Sequence, residues 1–145
     1  MPRVVQPLSC RVTPTLHRDL VGRAGGRVAL VATLGEARLC ADLERGLTLA
    51  RSLADKVKSD KELELAIAPQ CNIVCFRSRP RGVEGADLDA HNRRVRQALL
   101  DDGSFYVVQT TLPQGVFLRT TLMNPRTEER DLDAMLDAVR RAARC

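Results

Sequence analysis

The sequence predicts an α+β domain, a two-layer sandwich in which helices cover one face of a small, mainly antiparallel sheet. Three observations predict it. Three segments carry apolar residues at steps of three and four, the period of a one-sided helix. Four short runs are rich in β-branched and apolar residues and bounded by Pro, Gly or Asn, as strands are. Their order is helix, strand, strand, helix, strand, strand, helix, and helices that are apolar on one side need a sheet face to cover. No internal repeat of solenoid length interrupts that order.

Residues 1–27 carry Pro2, Pro7 and Pro14, then Gly22, Gly25 and Gly26, with no sustained period; they read as a disordered or irregular leader to a domain spanning 28–145. The glycines precede the run Val28-Ala29-Leu30-Val31 instead of following it, and no Lys-Ser/Thr comes after, so a flexible turn is expected there and not a phosphate loop. Thr33 and Glu36 have capping-box spacing. The helix they open has the stripe Leu39, Leu43, Leu47, Ala50, Ala54 and Val57 and ends near Ser59 or Asp60. A short strand around 63–66, a turn at Pro69 and the run Ile73-Val74-Cys75-Phe76 follow; the last is apolar on both faces, like a central strand. Arg79-Pro80-Arg81-Gly82 breaks it. Asp87 is the expected cap of the second helix, with Leu88, Val95, Ala98 and Leu99 on its inner face and Asp101-Asp102-Gly103 at its end. Strands at 105–111 and 116–123 form a hairpin across Leu112-Pro113-Gln114-Gly115. Asn124-Pro125 stops the sheet, and Thr127 caps a last helix with the stripe Leu132, Met135, Leu136 and Val139.

The 145 residues suit one domain, and 44% hydrophobic residues suffice for a packed core. That core must be aliphatic, because only 3% of residues are aromatic and none is Trp. No segment approaches the apolar length of a membrane span, and the start is too short and interrupted for a signal peptide; no membrane partner and a cytoplasmic location are expected. The net charge of +5 invites a nucleic-acid reading. However, the 23 basic residues comprise three lysines (Lys56, Lys58, Lys61) and 20 arginines, scattered between acids with few aromatics to stack on bases, so no nucleic-acid partner is expected.

The inventory for self-sufficient catalysis is poor. Cys10, Cys40, Cys71, Cys75 and Cys145 are odd in number and irregularly spaced, which suits free thiols. Cys71 and Cys75, spaced C-x-x-x-C in an apolar strand, read as small core residues. His17 falls in the leader, and His91, three residues after Leu88, suits a helix-surface or satisfied histidine. No Ser-His-Asp or Cys-His arrangement and no metal set is legible, so no catalytic residue, cofactor-binding residue or metal ligand is assigned. Glu128-Glu129-Arg130-Asp131 is the acidic first turn of a helix. Arg77 and Arg79 alternate onto one face of their strand and are expected to be solvated. One residue stands out. Arg119 lies within the otherwise apolar and β-branched run 116–123, and alternation puts it with Phe117, Thr121 and Met123. A guanidinium there needs an anion or a cleft. The two readings are an edge-strand arginine reaching water or an internal acid, and a receptor that binds a substrate carboxylate through its planar fork of donors.

The stretch Pro69-Gln70-Cys71-Asn72-Ile73-Val74-Cys75-Phe76-Arg77 resembles a strand in the carboxy-terminal small domain of pyridoxal-phosphate-dependent group II amino-acid decarboxylases, the glutamate, diaminobutyrate and aromatic amino-acid decarboxylase family. The likeness continues through Asn92, Gly103, residues 105–111, Phe117-Leu118-Arg119, Met123-Asn124-Pro125-Arg126-Thr127, Asp131 and Leu132. Leu34-Gly35 and the following helix resemble the entry to that domain, so the resemblance covers about residues 28–143. It implies the small domain of a fold-type-I enzyme, closing the substrate side of an active site carried by a larger domain, with Arg119 facing the substrate. The family's His-Lys dipeptide and its large cofactor-bearing sheet have no match in this sequence. Resemblance and departure together imply a small domain or fragment of a carboxy-lyase, inactive alone, that needs the missing large domain, pyridoxal 5'-phosphate and an amino-acid substrate. The alternative is a non-catalytic binding or self-association module derived from that domain, since a sheet that once faced a large partner would leave apolar surface for a self-copy.

Overall fold

The computed structural model describes residues 35–144. The expected leader and its boundary at residue 28, the glycine cluster, the Thr33 cap, Leu34, His17, Cys10 and Cys145 lie outside those residues. The chain divides into two units, Met1–Asp42 and Leu43–Cys145; the described part of the first is the start of helix α1, and the second holds the rest. The elements are α1 (Glu36–Ser59), β1 (Leu63–Leu65), β2 (Ile73–Ser78), α2 (Gly85–Asp102), β3 (Val108–Leu112), β4 (Gly115–Thr121) and α3 (Glu129–Ala142), the expected α+β order. The sheet runs β1-β2-β4-β3, with every neighbouring pair antiparallel.

One apolar cluster holds the layers together. Leu53 and Val57 of α1, Val95 and Leu99 of α2, and Leu132 and Leu136 of α3 pack with Val74, Phe76 and Leu118 of the two inner strands. All three helices of the described residues therefore cover the same sheet face. Each such side chain, fully buried, contributes about 1.5–3 kcal/mol, so the cluster dominates the fold. A polar rim fastens α1 to α3: Arg45 donates to the Thr127 carbonyl at 2.8 Å, Ser52 to Glu129 at 2.8 Å and Lys56 to Asp133 at 2.6 Å.

The ladder between β2 and β4 is finished by side chains of α2. Paired residues run from Ile73↔Thr121 to Phe76↔Leu118, and the Leu122 amide donating to the Asn72 carbonyl shows which backbone groups face across. The next hydrogen-bonded pair would be Ser78 and Val116. They do not meet. The buried Asn92 amide instead donates to the Ser78 carbonyl at 2.9 Å, and its carbonyl accepts from the Ser78 amide at 2.9 Å. The Val116 amide donates to Asp89 at 2.7 Å. Buried backbone groups demand partners, and α2 supplies the ones a strand would have given.

Several expectations need correction. The stripe expected from Leu39 is not buried in its first turns, since Leu39 is half-buried and Leu43 is 54% exposed; burial starts with Gly46 and continues through Leu49, Ala50, Leu53, Ala54 and Val57. At Gly46 a Cβ would lie 2.6 Å from the Leu122 carbonyl oxygen, so glycine permits the close approach at which packing starts. Helix α2 begins at Gly85 with Glu84 as its N-cap, and Asp87 sits in the first turn, where its charge suits the helix dipole. Gly103 closes that helix as expected, at φ 70 with its amide on the Leu99 carbonyl. Helix α3 is capped at Glu128 and not at Thr127, because the Glu128 amide donates to the Asp131 carboxylate at 2.8 Å. The cysteines assigned to the core are not in it: Cys71 is exposed and Cys75 half-buried, on the face away from the helices.

Candidate functional site

Strand alternation divides β4 between the two faces. Leu118 joins the core cluster, so Phe117, Arg119 and Thr121 belong to the opposite face. Register brings Cys75 to one side of Arg119 and Val108 to the other. Arg119 is exposed and has no hydrogen bond or ion pair. It is thus an available cation on the sheet face opposite the three described helices. Met123, the third residue expected beside it, lies past the strand end and is 73% exposed.

Arg77, expected to be solvated, is the opposite case: it is 7% exposed and fully engaged. Its Nε and Nη2 donate to the two carboxylate oxygens of Glu64 at 2.9 and 3.1 Å, and its Nη1 donates to the Gln114 carbonyl at 2.9 Å. Its guanidinium carbon lies 4.4 Å from the centroid of the Phe117 ring, a cation–π contact that helps to bury this face of the sheet. Arg79, which is exposed, adds a second contact to Glu64 at 3.1 Å. Burial works to raise the Glu64 pKa, but the hydrogen bonds and charge of Arg77, then Arg79, hold it below its ordinary value. Each of the three guanidinium nitrogens of Arg77 already donates a hydrogen bond, whereas Arg119 has all of its donors free. Of the two strand arginines Arg77 and Arg119, Arg119 is the one free to receive an external carboxylate. Alternation revealed Arg119, but Arg77 could not be read, because its acid sits on a neighbouring strand at Glu64↔Arg77.

The other titratable groups offer little chemistry. Burial pushes the Cys75 thiol up, and the Arg119 charge beside it lowers it by less, so the thiol stays neutral at neutral pH. His91 is the satisfied histidine of the expected pair of readings: it is 8% exposed, with Nε2 3.0 Å from the Ser78 hydroxyl. Burial, then the Arg94 charge, lowers its pKa. Among the described residues no three His, Cys, Asp or Glu side chains come together as a metal set, and no helix is long and apolar enough to cross a membrane.

Pyridoxal phosphate requires a neutral lysine amine, a phosphate cradle and an acid for its ring nitrogen. The lysines here do not fit. Lys56 is held by Asp133 at 2.6 Å and Glu129 at 3.5 Å, and the Asp133 hydrogen bond raises its pKa, the wrong direction for a nucleophilic amine. Lys58 pairs with Asp55, and Lys61 is exposed on the helix-bearing side of the domain.

No protein-family model matches the chain. It is 30% identical over 95 residues to an L-2,4-diaminobutyrate decarboxylase of Acinetobacter baumannii, a match covering 66% of this chain and 19% of that protein. The glutamate decarboxylase domain of a Vibrio parahaemolyticus diaminobutyrate-pyruvate transaminase and L-2,4-diaminobutyrate decarboxylase superposes with a TM-score of 0.70 at 24% identity, over 78% of this chain and 24% of that one. Mouse CSAD superposes with a TM-score of 0.71 at 19% identity, over 79% and 26%. An Oryza sativa TDC crystallised with PLP and tryptamine gives 0.68 at 24% identity, over 79% and 24%. The chain thus spans about a fifth of the diaminobutyrate decarboxylase and about a quarter of each solved structure. In sequence and in fold this chain thus resembles a small α+β domain of pyridoxal-phosphate-dependent group II amino-acid decarboxylases.

Proposed function

We propose that this chain serves as the carboxy-terminal small domain, or a fragment of it, of a cytoplasmic pyridoxal-phosphate-dependent amino-acid decarboxylase. In that role it closes the substrate side of the active site and releases no carbon dioxide from an amino acid by itself. The observation that carries the reading is Arg119: an exposed, unpaired guanidinium on the sheet face opposite the described helices, within a sequence similar to a diaminobutyrate decarboxylase. A planar fork of donors free of internal acids suits a bidentate carboxylate, and a neighbouring domain that excludes water would strengthen the contact. The cofactor and the groups that hold it belong to protein outside this chain, since none of its lysines is suited to carry it.

Two measurements test this. The pure chain, given pyridoxal phosphate and carboxyl-labelled diaminobutyrate, glutamate or tryptophan, is expected to release no labelled carbon dioxide; turnover would overturn the division of labour. The A. baumannii decarboxylase carrying residues 43–144 in place of its own matching segment is expected to turn over. A folded chimera that binds the cofactor without turnover would overturn the assignment to the active site.

A further inference from the structure

Among the described residues, the outer edge of β3 has unpaired backbone groups and none of the usual protection. Strand β3 ends the sheet, paired on one side to β4. The Leu122 amide bonds to Asn72, so even-numbered residues of β4 turn their backbone groups toward β2 and odd-numbered ones toward β3. Their partners Val108, Thr110 and Leu112 therefore point inward, and Gln109 and Thr111 point their amides and carbonyls outward. Neither residue has another hydrogen-bond partner.

Sheet edges are ordinarily guarded by charges, prolines, bulges or short length. The opposite edge follows that rule: β1 is three residues long, contains Glu64 and follows Lys61 and Glu62. The β3 edge does not. From Gly103 to Leu118 the sequence has no charged residue, in a protein with 28% charged residues. The segment Phe105-Tyr106-Val107-Val108-Gln109-Thr110-Thr111-Leu112 is β-prone, uncharged and free of Pro and Gly, the composition of strands that pair with copies of themselves. Tyr106, 77% exposed, adds apolar surface beside the edge.

We propose that this edge joins two copies of the chain, with β3 of one pairing antiparallel to β3 of the other about a two-fold axis at Thr110. In that register Gln109 of each copy exchanges both backbone hydrogen bonds with Thr111 of the second copy, and Thr110 faces Thr110. An isologous contact must be self-complementary. Here every outward donor meets an acceptor, and no like charges face each other despite the net charge of +5. A single continuous sheet then runs through both copies. The pairing stands independently of the decarboxylase reading, since it uses neither Arg119 nor the open face.

Sedimentation velocity across a concentration series, with hydrogen exchange read at single amides, tests the proposal on the full chain. The chain is expected to dimerise, with the Gln109 and Thr111 amides gaining protection as concentration rises. Thr110→Lys and Thr110→Glu each place like charges directly opposite and should raise the dimer dissociation constant about tenfold or more. An equimolar mixture of the two variants should recover the dimer as a mixed pair, an outcome that misfolding cannot produce. A monomer at every concentration, or a dimer indifferent to both charges with Gln109 and Thr111 still exchanging freely, would overturn it.

Discussion

Replacing Asn92 with leucine would test how the sheet is terminated. The asparagine is completely buried, and its side chain serves both the amide and the carbonyl of Ser78, each at 2.9 Å, while also donating to the Leu88 carbonyl at 2.9 Å. Leucine has nearly the same size, so the cavity is small and the loss is electrostatic in origin. Ser78 is 2% exposed, and water cannot readily replace the lost partners. Two orphaned backbone groups at about 1–3 kcal/mol each, less a partial return from burying the apolar side chain, give a loss of about 3 kcal/mol. Urea unfolding followed by far-ultraviolet circular dichroism should show this as a midpoint lower by about 2 M at an unchanged slope. Asn92→Asp keeps an acceptor but loses both donors and buries a charge, so it should be at least as damaging. A loss below about 1 kcal/mol for Asn92→Leu would refute the claim that α2 completes the β2–β4 ladder.

Two further substitutions follow from close packing and charge. Gly46→Ala would ordinarily stabilise a helix by about 0.5–1 kcal/mol. Here the added Cβ meets the Leu122 carbonyl oxygen at 2.6 Å and Asn72 Cβ at 3.3 Å, so a net loss of about 1–3 kcal/mol is expected in the same urea assay, and a gain would show that the helix is free to shift. Glu64→Gln leaves the buried Arg77 without its counter-charge and should cost about 2–3 kcal/mol at pH 7, below the range for a fully buried pair because Glu64 is 27% exposed. The sign of its pH dependence follows from a native carboxyl held below its ordinary 4.5: the stabilisation is complete above about 4.5 and is lost as pH falls through the lower native value. The gap between wild type and Glu64→Gln should therefore close on acidification, and a gap constant from pH 7 to pH 3 would contradict the pairing.

The fold was legible in the sequence because the elements announce themselves locally. The α3 stripe of Leu132, Met135, Leu136 and Val139 is buried as its spacing requires, and Gly103 ends α2 as the only residue type at ease with that backbone. Arg119 was legible because a charge among β-branched residues violates the pattern around it. What could not be read depends on partners distant in sequence. The burial of Arg77 needs the register of β1 against β2, and the duty of Asn92 needs the knowledge that Ser78 lacks a strand beside it. The exposure of Leu43 follows from where α1 first meets the sheet layer, which Gly46 sets and helical period alone cannot. Cys71 and Cys75 were misplaced for a related reason. An apolar run looks buried on both faces, although here the helices cover only one.

Whether Arg119 meets a substrate carboxylate is decided most directly by steady-state kinetics of the chimeric decarboxylase carrying residues 43–144, compared with its Arg119→Gln and Arg119→Lys forms. A charge-assisted contact in a closed site is worth about 2 kcal/mol or more, so Arg119→Gln should lower kcat/KM about 30-fold or more. The loss should fall mainly on KM, with Arg119→Lys recovering part of it through charge alone. Because the side chain is exposed and unpaired, the folding stability of the variants should stay within about 0.5 kcal/mol of the parent. An unchanged kcat/KM in Arg119→Gln would contradict the assignment and leave this cation an ordinary surface charge.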